Sequence, residues 1–405
     1  MSNFAFGTYR ITDTNPTHIQ ALKEAIESGI KLIDTSTNYM DGASERAIAV
    51  VLNSFGDEKR NSVEIVSKYG YIQGETMHRH KEKNFEGVVE FSEVCYHSIA
   101  PSFMRDQLEQ SLERLQRSHI DCYLIHNPEY FIYDALNKNA HRDEMLDTMY
   151  ERIYEAFVAL EEEVQKGRIG SYGISSNAFA KPQNDPEFLP YEDLIVLADK
   201  ASEAAGNQTH SFTTIEVPIN ILEQEGLKCA SWAKKHGLRV LSNRPLNAQK
   251  NNQMYRLGEY EQSHEYYHQL NELLEICDND TLRSVYNLLE QLDENKHKFG
   301  WIGDFDTFLY AEILPHIKKS LEQLEVEYLE TMLEYIDRFF IHYRQMVAYE
   351  CAQKTKKELK QEFEGCSMKL QECALKFLLE QEVIDFVLVG MRKPTYIYEA
   401  LALVD

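Results

Sequence analysis

The sequence predicts an α/β chain whose parallel strands close into a (β/α)8 TIM barrel, with a mostly helical insertion between strand seven and helix seven. Three observations lead there. Short β-like runs alternate with amphipathic helical runs over the first 250 of 405 residues, and one more β/α unit follows near the C-terminus. Eight such units in a row must each return the chain to the same end, which a closed parallel barrel satisfies. An open doubly wound sheet fits less well, because no glycine-rich phosphate loop follows the first strand.

The elements read as follows. "FAFGTYRI" (4–11) is strand one, and "PTHIQALKEAIESG" is its helix, opened by Pro16 and closed by Gly29. "KLIDTST" (31–37) is strand two, followed by the helix "SERAIAVVLNSF". "VEIVSKYG" (63–70) is strand three. "APSFMRDQLEQSLERLQ" (100–116) places apolar residues at 103, 104, 108, 112 and 115, which is helical spacing. "DCYLIHNP" (121–128) is strand four, stopped by Pro128, and a long helix then ends at Gly167. "IGSYGISSN" (169–177), "TTIEVPINIL" (213–222) and "LRVLSNRPLN" (238–247) are strands five to seven, with helices near 191–205 and 227–237 between them. "VIDFVLVG" (383–390) is strand eight, preceded by "MKLQECALKFLLEQ" and followed by "TYIYEALAL".

Residues 1–247 and 369–405 therefore form the barrel. Residues 248–368 break its pattern: runs such as "LRSVYNLLEQL" and "LEQLEVEYLETMLEYIDRFFIHYRQMVAYE" have helical apolar spacing, and glycine and proline are scarce. This stretch holds 23 acids against 13 bases. Its place after strand seven puts it at the C-terminal face, where barrel active sites lie, so a lid is one reading and a decoration or dimer surface is the other.

The formal net charge is -24, which argues against nucleic acid or an anionic membrane as a partner. Seven scattered cysteines, an odd number without a CxxC, predict free thiols, with Cys366 and Cys373 on one face of a helical segment. With no basic apolar leader in "MSNFAFGTYRIT" and no membrane-length apolar run, the expectation is a cytoplasmic protein. His78 and His80 have HxH spacing but no evident third ligand, so no metal is expected.

Three polar residues fall at the C-terminal ends of consecutive strands: Asp34, Lys68 and His126. Adjacent strands lie about 4.8 Å apart, so these side chains can converge, and Tyr39 just past strand two can lean into the same mouth. A tyrosine is a poor acid at pH 7, and a lysine ammonium beside it favours the phenolate. Asp34 would hold the lysine, and His126 would offer a second hydrogen bond to a substrate oxygen. The group can polarise a carbonyl and protonate it, but it lacks a hydride source, which implies a nicotinamide cofactor. Alone, each residue has a structural reading as a cap, a turn former or a packed ring; four at successive strand ends are harder to dismiss.

"DTSTNYMDGASE", "VSKYG" and "LIHNPE" together make the chain resemble the aldo-keto reductases over about residues 4–247 and 369–403. The resemblance implies Tyr39 as general acid with Asp34, Lys68 and His126 as partners, acting on a small-molecule aldehyde, ketone or alcohol. It implies NADP as cofactor, with NAD as the alternative. "YGISSN" would place Ser175 and Ser176 or Asn177 at the carboxamide. Glu216 in "IEVPIN" stands where the family usually has glutamine, and Asn243 in "LSNRPLN" replaces the family's ring-stacking aromatic. In "VLVGMRKPTYIYEA", Arg392 and Lys393 would face a ribose 2'-phosphate and Glu399 the adenine, with Tyr396 and Ala400 departing from the pattern. These departures leave a second reading: a nucleotide-sensing binding protein without turnover, using the insertion as a partner surface. A barrel lyase or isomerase without nicotinamide is a third.

Overall fold

The structure, a computed structural model, describes residues 3–322 and 324–404. Met1, Ser2, Gln323 and Asp405, which the expected segments include, lie outside the described residues. The chain divides into two compact units, 1–245 with 375–405, and 246–374.

The first unit is a closed barrel of eight parallel strands: β1 (Phe4–Gly7), β2 (Leu32–Asp34), β3 (Glu64–Tyr69), β4 (Ile120–His126), β5 (Ile169–Ser175), β6 (Phe212–Pro218), β7 (Arg239–Asn243) and β8 (Phe386–Val389). They pair in chain order and β8 closes on β1. The helices that alternate with them are α1 (Pro16–Glu27), α2 (Ala43–Asn53), α3 (Pro101–Leu115), α4 (Arg142–Gln165), α5 (Leu194–Ala205), α6 (Gly226–Lys235), α7 (Leu370–Leu379) and α8 (Pro394–Leu401). Local chemistry starts α1 as expected: Pro16 occupies the first turn, and the Asn15 side chain accepts from the Thr17 amide.

Strand periodicity gives the barrel interior an apolar middle layer, with the Glu64–Arg239 ion pair at its N-terminal end and a polar layer at its C-terminal end. Ala5, Leu32, Val66, Cys122, Leu124, Leu241 and Leu388 form one buried cluster inside it. Two residues further along the same strands, the inward series continues with Asp34 after Leu32, Lys68 after Val66, His126 after Leu124 and Asn243 after Leu241. The register agrees: Asp34 pairs with Val66, Lys68 with Leu124, His126 with Ser175, and Ser175 with Glu216. Apolar packing thus forms a layer beneath the site, and the site's polar residues sit at the C-terminal mouth. The ring tolerates no bulk at Gly173, where an added Cβ would fall 2.0 Å from the Thr214 carbonyl oxygen.

Two connections differ from the sequence reading. Residues 70–100 carry no strands in that reading, yet they hold a helix, Gly74–Lys83, and a three-stranded antiparallel sheet of Tyr71–Ile72, Val89–Ser92 and Cys95–His97. These strands are too short for their alternation to register in the pattern. The expected long helix before Gly167 is two helices, Tyr130–Asn137 and α4.

The second unit is mostly helical around its own core, which includes Tyr266, Leu273, Val285, Phe305, Phe339 and Tyr343. Its longest helix is Val326–Glu358. It also contains a hairpin, Asn247–Lys250 with Gln253–Arg256, which the reading of a mostly helical insertion does not locate. The expectation of free thiols fails at one pair: Cys366 and Cys373 form a disulfide. Seven residues of helix would separate their Cα atoms by about 10.5 Å. The chain instead turns between them before α7 begins, bringing the Cα atoms to 6.2 Å. The other five cysteines are buried thiols. Among the described residues, no helix is long and apolar enough to cross a membrane.

Candidate active site

The site is built around the Lys68 ammonium. Lys68 is fully buried at the end of β3, and its Nζ donates to the Asp34 carboxylate in a short contact, to the Thr35 carbonyl at 3.1 Å and to the Tyr39 hydroxyl at 3.3 Å. Glu216 Oε2, near the end of β6, lies 3.3 Å from the same nitrogen. Asp34 is 4% exposed and Glu216 1%. Tyr39 is half-buried, with its hydroxyl turned inward to Lys68. Its ring is edge-on to His126 at 5.9 Å and to Tyr9 at 5.2 Å.

Tyr39 is held by the turn that follows it. Met40 and Asp41 both adopt left-handed φ, 49° and 54°, a conformation that costs about 1 kcal/mol or more per non-glycine residue. Local bonds hold this turn. Asp41 accepts from the Glu75 amide, and Ser44 donates to the Thr8 and Ile11 carbonyls. Buried Glu45 accepts from Ser67 and Arg114. The "GASE" segment is thus an anchor for the loop that carries the tyrosine.

His126 is buried at the end of β4. Its Nδ1 is 3.1 Å from the Ser36 hydroxyl, and its backbone carbonyl is 2.7 Å from His97 Nε2. Gly70 makes room for this contact, since a Cβ there would sit 2.5 Å from the His126 carbonyl. Tyr71 packs edge-on to His126 at 4.9 Å.

Burial decides the protonation states. It holds the His126 imidazole well below the ordinary histidine range, with the Lys68 charge adding to the effect, so His126 is neutral at pH 7. His97 is pushed down to about 4 for the same first reason. The Tyr39 hydroxyl is raised above the ordinary phenol range, which corrects the expectation of a net lowering. The ammonium does pull it down, but desolvation is larger, and Asp34 and Glu216 add to the rise. Burial also raises Asp34 to about 8, opposed by Lys68 and reinforced by Glu216. Lys68 itself stays protonated: the two carboxyls outweigh its own desolvation.

Sequence reasoning missed Glu129, directly after the "HNP" run. It is buried, and its carboxylate accepts from the Ser176 hydroxyl and the Asn177 amide, both at 2.8 Å. Burial raises it to about 7, against those hydrogen bonds. Its neighbour Asn127 has a left-handed φ of 53° and bridges Tyr71 to Asn177 through its side chain. The only signal in the sequence was an acid immediately after a strand-ending proline.

The other expected site residues fall in two places. Ser175, Ser176 and Asn177 follow His126 around the rim, with the Ser176 hydroxyl engaged by Glu129 and the Ala178 amide. Glu216 and Asn243 lie beside the lysine cluster, joined by a 2.8 Å hydrogen bond from Asn243 Nδ2. Arg392 and Lys393 are elsewhere, at the start of α8, where Lys393 precedes Pro394 in the first turn. Arg392 lies near enough to His18 to depress its pKa, after burial. Glu399 is exposed on α8. His80 Nδ1 accepts from the Phe85 amide, and among the described residues no group of three or more His, Cys, Asp or Glu could hold a metal ion.

A nicotinamide carboxamide can be tested against this donor set. Glu216 Oε2 and Asn243 Oδ1 are buried without hydrogen-bond partners. Acceptors of that kind suit the two donors of an amide nitrogen, and Asn177 adds a group that can donate or accept. The residues present fit the group.

Fold and site together define a parallel-barrel protein with ionisable residues gathered at the C-terminal ends of its strands. The chain belongs to the aldo/keto reductase family, whose model matches residues 3–405. It is similar to the aldo-keto reductase YhdN of Bacillus subtilis (strain 168), 28% identical over 134 residues, which are 32% of this chain and 35% of that protein. It is also similar to the uncharacterized oxidoreductase YqkF of the same organism, 26% identical over 44% of each chain. The matches thus span less than half the length of these curated relatives. Among solved structures, the holo form of aldo-keto reductase AKR11C1 from Bacillus halodurans aligns at a TM-score of 0.50 with 17% identity. That alignment covers 100% of this chain and 87% of the other, and it bears on the fold alone.

Proposed function

We propose that the protein is an NADPH-dependent oxidoreductase that interconverts an aldehyde or ketone with its alcohol. The observation that carries this reading is the buried line from Asp34 through Lys68 Nζ to the Tyr39 hydroxyl, beside a neutral His126. Bound nicotinamide would supply or accept the hydride. Everything else is assigned to the chain's own residues.

Tyr39 is the general acid in reduction and the base in oxidation. Its raised pKa keeps the proton on oxygen until a carbonyl oxygen gains negative charge and draws it away. The Lys68 ammonium then stabilises the phenolate, and Asp34 orients that ammonium. His126, being neutral, donates a hydrogen bond and does not act as the acid. It does so from the tautomer that carries its proton on Nε2, with Nδ1 lying 3.1 Å from Ser36 Oγ. Asn177, Glu216 and Asn243 would hold the carboxamide, Ser175 lines the same rim, and Glu129 fixes the segment that presents Asn177. Arg392 and Lys393, at the positive N-terminal end of α8, would hold the 2'-phosphate, the basis for preferring NADPH over NADH. Glu399 is the adenine-side contact.

Tyr39→Phe tests this. A positioned general acid is worth about 10²–10⁴ in rate, so the variant should lose turnover by that factor while NADPH binding, read by quenching of tryptophan fluorescence, persists. Undiminished turnover in the variant would sink the mechanism.

A further inference from the structure

We propose that Glu216 makes the site hold the oxidised, cationic form of the nicotinamide nucleotide more tightly than the reduced form, which draws bound hydride transfer toward the alcohol. This rests on the nucleotide reading above. The geometry that carries it is a charge imbalance around one ammonium. Lys68 has three N–H donors, and they are directed to Asp34, Thr35 and Tyr39. Glu216 Oε2 lies 3.3 Å from the same nitrogen and has no hydrogen bond of its own, while its other oxygen accepts from Asn243. Glu216 therefore shares the lysine's charge but receives none of its protons. One buried cation serves two buried carboxyls.

The groups facing this cluster do not restore the balance. From β2 and its following turn come Asp34 and Tyr39, from β3 Lys68, from β4 His126, from β5 the uncharged Ser175, and from β7 the uncharged Asn243. Tyr39 and His126 are neutral near pH 7. Beyond Asn243, Arg244 is paired with Glu223 at 2.8 Å. With both carboxyls ionised the cluster carries one surplus negative charge. At lower pH a proton on Asp34 cancels it, consistent with Asp34 being raised to about 8. A cationic ring bound nearby favours loss of that proton, and an uncharged ring does not. Preference for the oxidised form should therefore grow with pH and disappear when Glu216 becomes an amide.

The experiment measures dissociation constants for NADP+ and NADPH at pH 6.5 and 9, for wild type and Glu216→Gln. Taking the ratio cancels the phosphate contacts that the two nucleotides share. The wild type should favour NADP+ by roughly tenfold or more at pH 9 and by less at pH 6.5. In E216Q the ratio should fall about tenfold at pH 9 and become flat with pH. Titration calorimetry of wild type at pH 7 in two buffers of different ionisation enthalpy supplies a readout independent of the variant: NADP+ should release more protons than NADPH. An unchanged ratio and pH trend in E216Q, or equal proton release by both nucleotides, overturns the inference. So does a trend that survives E216Q and vanishes in Glu129→Gln, since Glu129 titrates in the same range. If neither nucleotide binds wild type, the nucleotide reading falls, and the inference with it.

Discussion

Lys68→Met removes one charge from a fully buried position with little change in volume, and its effect on turnover can be worked from the contacts. The ammonium is 3.3 Å from the Tyr39 hydroxyl. A unit charge at that distance stabilises a phenolate by about 5 kcal/mol at an effective dielectric constant of 20. The Asp34 carboxylate on the same ammonium offsets much of this, leaving roughly 2–3 kcal/mol. Each 1.36 kcal/mol is about tenfold in rate, so kcat should fall about 10²-fold. Two buried carboxyls, Asp34 and Glu216, lose their common counter-ion as well. The assay is NADPH oxidation followed at 340 nm with a panel of simple aldehydes, beside far-UV circular dichroism to confirm the fold and fluorescence titration to confirm nucleotide binding. A folded, nucleotide-binding K68M enzyme with kcat within threefold of wild type would refute the electrostatic role given to Lys68.

Three further outcomes are expected. Gly173→Ala should destabilise the barrel by about 3 kcal/mol or more, because its Cβ would overlap the Thr214 carbonyl; a melting temperature matching wild type would contradict the packing described. Folding stability should fall as pH rises from 6.5 to 8.5. Asp34 and Glu129 have folded pKa values raised to about 8 and about 7, so the folded state binds more protons than the unfolded chain until those values are passed. Each carboxyl should contribute on the order of 1 kcal/mol to that fall in urea unfolding, and Glu129→Gln should remove its share while raising the KM for NADPH. Cys373→Ser opens the short loop from Cys366 and should cost the second unit about 2 kcal/mol by the chain-entropy relation, visible as a lower urea midpoint than wild type without reductant.

Local pattern was enough to expose the barrel and the four residues at its mouth. Period-two alternation fixes which side chains share a face, and a charged residue that follows an inward apolar series marks where the apolar interior ends. That places Asp34, Lys68 and His126 in one layer before any coordinates exist. The short strands of residues 71–97 carried too few alternations to be read. The Cys366–Cys373 bond depended on a turn that their spacing does not specify.

What the sequence by itself determined is the set of groups at the mouth and their order around it. Only the tertiary structure decided how those groups act on one another. Closing the barrel brought Glu216 from β6 to within 3.3 Å of the Lys68 ammonium, and chain order assigned it only to the neighbouring cofactor rim. It buried Glu129 beneath Ser176 and Asn177. It also reversed the expected direction of the Tyr39 pKa, because desolvation is a property of the enclosing volume and outweighs the one favourable charge beside the hydroxyl. Residue type and period are local and survive in the sequence, whereas the electrostatics of a buried site depend on every charge that folding brings into the same low-dielectric space.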